Sequence, residues 1–261
     1  ENPRVLKAAQ QIKEEGIAIP MLLGNEEKVR ELIKRDSLEL NDVPIIDPHS
    51  AQQEALVQEF AEKFYQKRHR KGVIPAEAAQ LMTLKNYFGA MMVETGRADA
   101  LISGLTRNYP DTIRPSLQVI GTKEGTSRVA GMYILHTDKG PLFFSDTTVN
   151  LDPTVEELVE ITELTAKAVE SFNIKPRIAL VTYSNFGGAK GKDAQKMAEA
   201  VRILREKHPD MIVDGEMQAH LAFNTALLNK NHSFSTIVEE GANTLIFPNL
   251  SASNISYNLL K

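Results

Sequence analysis

Cysteine is absent from the 261-residue chain, which excludes disulfides and thiolate chemistry within it. No apolar run is long enough to span a bilayer and no stretch reads as a signal peptide, so a membrane is not expected as a partner. A large excess of one charge is also missing. Thirty Lys and Arg meet 34 Asp and Glu, for a net charge of −4. The basic residues are spread among acids, so nucleic acid is not expected either. The six histidines include no His-x-x-x-His pair, and His69, His136 and His220 lie far apart. Metal binding by this chain is therefore not expected, and no Ser-His-Asp arrangement can be argued. Internal repeats and low-complexity segments are absent, which removes solenoids and tails from consideration. Cytoplasm is the default expectation for such a chain.

What is present is an alternation of helical patterns and short apolar runs. Hydrophobic residues make up 42% and charged residues 25%, so the chain has enough apolar surface for a core of its own. It opens inside a helix signal, with Asn2 as N-cap and Pro3 at the first helical position. Residues 3–15 read as helix, "IPMLLG" as strand, "NEEKVRELIKRDS" as helix and "VPIIDP" as strand. Two longer helices follow, over residues 51–72 and 75–96, each ending near a glycine. "ADALISG" (98–104) reads as a strand. "DTIRPSLQVIGT" reads as a helix capped by Asp111, with Pro115 in its first turn.

A second series begins with "GMYILHTDKGPLFFSDTTVN", two strands around an Asp-Lys-Gly turn. A helix over 152–173 starts at Asp152 or Thr154, with acids in its first turn. "RIALVTYSNFGG" is a strand and glycine-rich loop, 192–209 a helix, and "MIVDGEMQAHLAF" a strand running into a turn and helix. "NTLIFPNL" is a strand, and "ASNISYNLLK" opens a last helix. This β-α order predicts an α/β fold of two three-layer α/β/α lobes, with mostly parallel sheets and a cleft between them. The first lobe is expected over 1–122 plus 249–261 and the second over 123–248.

Open parallel sheets offer their functional groups at the carboxyl ends of strands. Four strand ends here carry polar loops: "SGLTRNYPDT", "SDTTVN", "YSNFGGAKGKD" and "DGEMQ". Small residues let backbone N–H groups approach an anion, and a helix N-terminus adds positive potential. Arg107 and Arg114 could each give bidentate hydrogen bonds to phosphate or carboxylate; their ordinary alternative is a surface salt bridge. Arg68, in "KRHRKG", is a third candidate, whose alternative is a solvated helix end. The loop Ser184–Asp193 resembles a phosphate cradle without the spacing of a P-loop; it could equally be a flexible connection. Asp146, Asp214 and Glu216 follow apolar runs and could be caps, general bases or metal ligands.

Five of these blocks, in order, resemble the phosphate acetyltransferase (phosphotransacetylase) family. They are "RADALISGLTRNYPDTIRPSLQVIGT", "FFSDTTVNLDPTVEELVEI", "VDGEMQ" and "ANTLIFPNLSASNISYNLL", the first holding two. Within the family, "ENPRVLKAA", "DTTVNLDPT", "SNFG", "VDGEMQA" and "IFPNL" look most like the C-terminal domain of large bacterial NADP-dependent malic enzymes. That resemblance implies a regulatory and oligomerising domain that binds acetyl-CoA in a degenerate cleft. The malic domain of the same parent would be its partner and would hold NADP and a divalent metal, and the assembly would be at least a homodimer.

The alternative is an active phosphate acetyltransferase working on acetyl-CoA, CoA and phosphate. A propionyl- or butyryl-transferring relative would need only a wider acyl pocket. In the family's chemistry the CoA thiolate attacks acetyl phosphate with an Asp as base, while Arg and Ser stabilise charge. Carried over by motif, Arg114 and Arg68 would bind the phosphoryl group. Ser103, Gly104 and Thr106 would line the same pocket, and Arg107, Ser184 and Asn185 are expected as further ligand-binding residues. The catalytic base is expected beyond Lys261 and a strand before Glu1, so the chain is expected to be part of a longer parent.

Overall fold

The computed structural model describes residues 2–124 and 126–260. Glu1, Gly125 and Lys261, which the expected lobe boundaries include, lie outside the described residues. The chain divides into two compact units, Glu1–Lys123 and Glu124–Lys261. Residues 249–261, expected with the first lobe, fall in the second. Their helix packs beside its own unit's sheet, with Tyr257 stacked on Tyr133 at a centroid distance of 3.6 Å.

In the first unit, α1 (Pro3–Glu14) starts at Asn2, whose side chain accepts from the Arg4 amide. Strand β1 (Leu22–Leu23), α2 (Glu26–Arg35) and β2 (Ile45–Ile46) follow, with β1 and β2 pairing in parallel. Then come α3 (Glu54–Arg68), α4 (Pro75–Met82), α5 (Lys85–Glu94) and α6 (Tyr109–Val119). The unit's sheet among the described residues has the two strands β1 and β2, and helices make up the rest. Phe60 and Phe64 of α3, Met82 of α4, Tyr87, Phe88 and Met91 of α5 and Val119 of α6 form one core cluster. Leu6, Val29, Ile33, Leu40 and Val43 form another beside β1 and β2.

Three sequence expectations differ here. The helix expected over 75–96 is two helices, broken at Thr83, whose hydroxyl donates to the Gln80 carbonyl at 2.8 Å. Residues 98–104 form no strand. Their apolar centre still packs, since a Cβ on Gly89 of α5 would stand 2.8 Å from Leu101 and 2.9 Å from Leu23. Burial thus follows the apolar run although strand pairing does not. Finally, α6 starts two residues before Asp111 and is capped by Asn108, whose side chain accepts from the Asp111 amide at 3.0 Å. Pro115 therefore lies inside the helix, beyond its first turn.

The second unit holds a five-stranded sheet in the order β3-β4-β7-β5-β6. In chain order the elements are β3 (Met132–Thr137), β4 (Gly140–Ser145), α7 (Val155–Glu170), β5 (Ile178–Val181) and α8 (Lys192–Lys207). They continue with β6 (Val213–Met217), α9 (Ala219–Ala222), α10 (Thr225–Asn231), β7 (Thr244–Ile246) and α11 (Leu250–Leu260). β3 and β4 are the antiparallel hairpin; the other pairings are parallel.

Alternation along β5 shows why this unit has three layers. Ile178 and Leu180 face α7 and α8, joining Leu158, Ile161, Met197, Ala200 and Leu204. Ala179 and Val181 face the other way, with Leu221, Ala222 and Leu228 of α9 and α10. All four β5 residues are buried, as expected for a parallel strand covered on both faces.

Candidate active site

In the first unit the candidate residues collect around α5 and α6. Tyr87 on α5 is 6% exposed. Its ring packs edge-on against Phe64 of α3, and its hydroxyl donates to Gln118 Oε1 of α6 at 2.5 Å. Burial pushes the Tyr87 hydroxyl pKa up, against the nearby positive charges of Arg114 and Arg68, which pull it down. Two of the three arginines named from the sequence thus act electrostatically on one buried hydroxyl. Arg68 ends α3 and Arg114 lies in the middle of α6.

Neither Arg68, Arg107 nor Arg114 has an ion-pair partner among the described residues, which removes the surface salt bridge as their explanation. The Nε of Arg68 is buried and without a hydrogen-bond partner. A buried donor left unmade is costly unless a ligand or water completes it. Arg114 and Arg107 are exposed.

The loop 102–108 joins this pair. Ser103 Oγ donates to Asn86 Oδ1 at 2.8 Å, and Asn86 Nδ2 donates to the Asp111 carbonyl at 3.1 Å. Gly104 takes φ +129°, a region closed to side chains without strain, and the space for its Cβ abuts Thr112. Thr106 and Arg107 lie on the exposed turn that follows. Ser103 is thus tied through Asn86 to α6, the helix that carries Arg114. Asn86 and Tyr87 escape a reading by pattern, because "KNYFGAMMV" looks like ordinary core helix. The only signal is a polar Asn at the first turn, just before the apolar run Tyr87–Val93.

Ser184 and Asn185 belong to the second unit, where they build a loop. Ser184 Oγ donates to Glu216 Oε1 at 2.7 Å and accepts from the Ala189 amide at 3.0 Å. Glu216 also accepts from the Gly187 amide at 2.7 Å. Asn185 Oδ1 accepts from the Gln218 amide at 2.8 Å. Phe186 and Gly187, at φ +46° and +84°, turn the chain back.

The three acidic candidates are occupied in the same way. Asp146 accepts from the amides of Gly131, Thr148, Val149 and Asn150 and from the Asn150 side chain. Asp214 accepts from the Gly215 and Thr236 amides and pairs with Arg205 at 2.6 Å. Among the described residues no group of three or more His, Cys, Asp or Glu could hold a metal. No helix among them is long and apolar enough to cross a membrane.

The profile of the phosphate acetyl/butaryl transferase family matches residues 1–261. The chain belongs to that family. It is 37% identical over 260 residues to the phosphate acetyltransferase of Bacillus subtilis (strain 168), covering 99% of this chain and 78% of that protein. A Synechocystis phosphate acetyltransferase is 34% identical over the whole of this chain and 37% of its own length. Among solved structures, a phosphotransacetylase from Streptococcus pyogenes superposes with TM-score 0.88 at 34% identity. The EutD phosphotransacetylase from Staphylococcus aureus gives 0.86 at 32%. Each match covers 99% of this chain and 78% of the other.

These relatives overturn the malic-enzyme reading in favour of its alternative, and none of them supports NADP, a metal or a malic partner domain. One of the blocks that suggested it has a structural part in the fold. "VDGEMQ" is β6, where Asp214 and Glu216 hold neighbouring loops. A Cβ on its Gly215 would stand 2.5 Å from the Leu180 carbonyl. The sheet itself therefore calls for a glycine at this position.

Proposed function

We propose that the protein is a phosphate acetyltransferase, exchanging an acetyl group between CoA and phosphate. The observation that carries the reading is the pair Arg68 and Arg114. Both put positive charge on the Tyr87 hydroxyl, neither is paired with an acid among the described residues, and Arg68 keeps a buried donor without a partner. The names of relatives at 37% and 34% identity favour acetyl over longer acyl groups.

Phosphate is a doubly charged, four-oxygen ligand, and guanidinium groups match it with paired, charge-assisted hydrogen bonds. A phosphate so held is oriented for attack. One of its oxygens adds to the thioester carbonyl carbon, the C–S bond breaks, and the CoA thiolate leaves and takes up a proton. The products are acetyl phosphate and CoA. Positive charge at the site stabilises the oxyanion that develops on the carbonyl. Ser103 and Gly104 would line the phosphate side, and Thr106 and Arg107 the mouth.

The test is phosphate-dependent release of CoA thiol from acetyl-CoA by the full-length protein, with arsenate substituted for phosphate as a control. Turnover with both anions supports the reading. Binding of acetyl-CoA with no turnover in either would overturn it.

A further inference from the structure

Proline 115 leaves a gap in its own helix. It has no N–H, so the carbonyl four residues earlier, that of Asp111, receives no bond from the α6 ladder. Asn86 fills this place. Its Nδ2 donates to that carbonyl at 3.1 Å, while its Oδ1 accepts from Ser103 Oγ at 2.8 Å. One carboxamide thus satisfies the acceptor that the proline strands and grips the loop carrying Ser103 and Gly104.

The next residue completes the clamp: the Tyr87 hydroxyl binds Gln118, seven residues along α6 from Asp111. Arg114 lies between the two tie points and directly precedes the proline. A continuous helix would satisfy Asp111 internally and leave Asn86 only the second lone pair of an already bonded carbonyl.

We propose that Asn86 is a positioning residue for the anion site, acting through the Pro115 gap to hold α6, Arg114 and the Ser103 loop in one register. This rests on the phosphate acetyltransferase reading above. Asn86 touches neither substrate nor reacting atom in this role. It fixes the distance between groups that must grip one tetrahedral ligand, and misplacement of such groups weakens binding of that ligand first.

The experiment is steady-state kinetics of the full-length protein and of Asn86→Ala, Asn86→Asp and Pro115→Ala, alone and combined, with melting temperatures alongside. Asn86→Ala should raise the phosphate KM by about tenfold, the size of one lost hydrogen bond to a polar group, and leave the acetyl-CoA KM within about twofold. Asn86→Asp keeps an acceptor for Ser103 but cannot donate to the Asp111 carbonyl, so it should fall on the same side as Asn86→Ala and serves if the alanine variant folds poorly. Pro115→Ala returns a backbone N–H to α6. On that background the effect of Asn86→Ala should shrink to a few-fold, a coupling that a general loss of stability would not give.

A phosphate KM unchanged in both Asn86 variants, an equal rise in both substrates' KM, or strictly additive effects with Pro115→Ala would overturn the positioning role while wild-type turnover stands. If the wild type neither turns over acetyl-CoA nor binds inorganic phosphate by calorimetry, the functional reading falls and this inference with it.

Discussion

Arg114 lies on the exposed side of α6, and among the described residues no acid pairs with it. A guanidinium in that state interacts with solvent until a ligand arrives, so its removal should be felt in binding more than in stability. Arg114→Ala should weaken phosphate binding by about 1.5–3 kcal/mol, the usual worth of a charge-assisted bond, with a melting temperature near that of the wild type. Arg114→Lys should recover only part of the loss, because a point charge lacks the planar fork. Calorimetric titration with inorganic phosphate checks both; full affinity in the alanine variant would remove Arg114 from the site.

Asp146 predicts the opposite pattern. Its carboxylate serves the donors of Gly131, Thr148, Val149 and Asn150 and is 4% exposed. Asp146→Ala would strand several half-buried N–H groups at roughly 1 kcal/mol or more each, so urea denaturation should show a loss of about 3 kcal/mol or more. An Asp146 variant of unchanged stability would contradict this structural role. The sequence marks all three acids as strand-end residues, but a base and a loop anchor look alike until their donors are counted. Arg114 and Ser103 could be singled out because a turn and a proline surround them. Asn86 and Tyr87 could not, because their partners lie 25 and 31 residues away in the chain.

At the scale of elements, local signals work where the chain satisfies itself locally. Thr154 and Glu157 form a reciprocal capping box at the start of α7, each side chain meeting the other's backbone. Thr154→Ala should therefore cost about 1 kcal/mol, measurable as a lower urea midpoint at unchanged slope. An unchanged midpoint would mean that the packing of α7 alone holds its first turn. β5 and β7 were legible as apolar runs because both faces of the sheet are covered.

The expected strand at 98–104 shows the limit of that rule. An apolar run states that residues are buried, not that a neighbouring strand is there to pair. The sheet nearby has two strands of two residues each, and Leu101 finds its packing on Gly89 of a helix. The start of α6 was misplaced for a related reason. Asn108 and Asp111 are both good caps, and only the bond from the Asp111 amide to Asn108 tells which of them serves.

For the whole molecule, the nearly balanced composition hides an uneven use of charge. In the second unit the helical layer of α7 and α8 is stitched by carboxylates. Lys196, 8% exposed, bonds Asp152 at 2.7 Å and holds the Asp152 carboxyl below the usual range. Ser127, with the Arg128 backbone, does the same to Glu160. Burial would raise the Glu163 carboxyl, yet the bonds from Lys207 and His208 outweigh it and leave it lowered.

A carboxyl whose pKa is lower folded than unfolded contributes stability above the unfolded value and loses it as pH falls through the folded one. The second unit should therefore hold its stability from neutrality down to about pH 4.5, the ordinary carboxylate range, and lose it progressively below. Melting curves across that range, with Glu163→Gln as comparison, check the cause. The glutamine cannot titrate, so its loss relative to wild type should be largest near neutrality and shrink as pH falls. A gap that stays constant with pH would mean that Glu163 acts by packing, and that the acid response belongs to other groups.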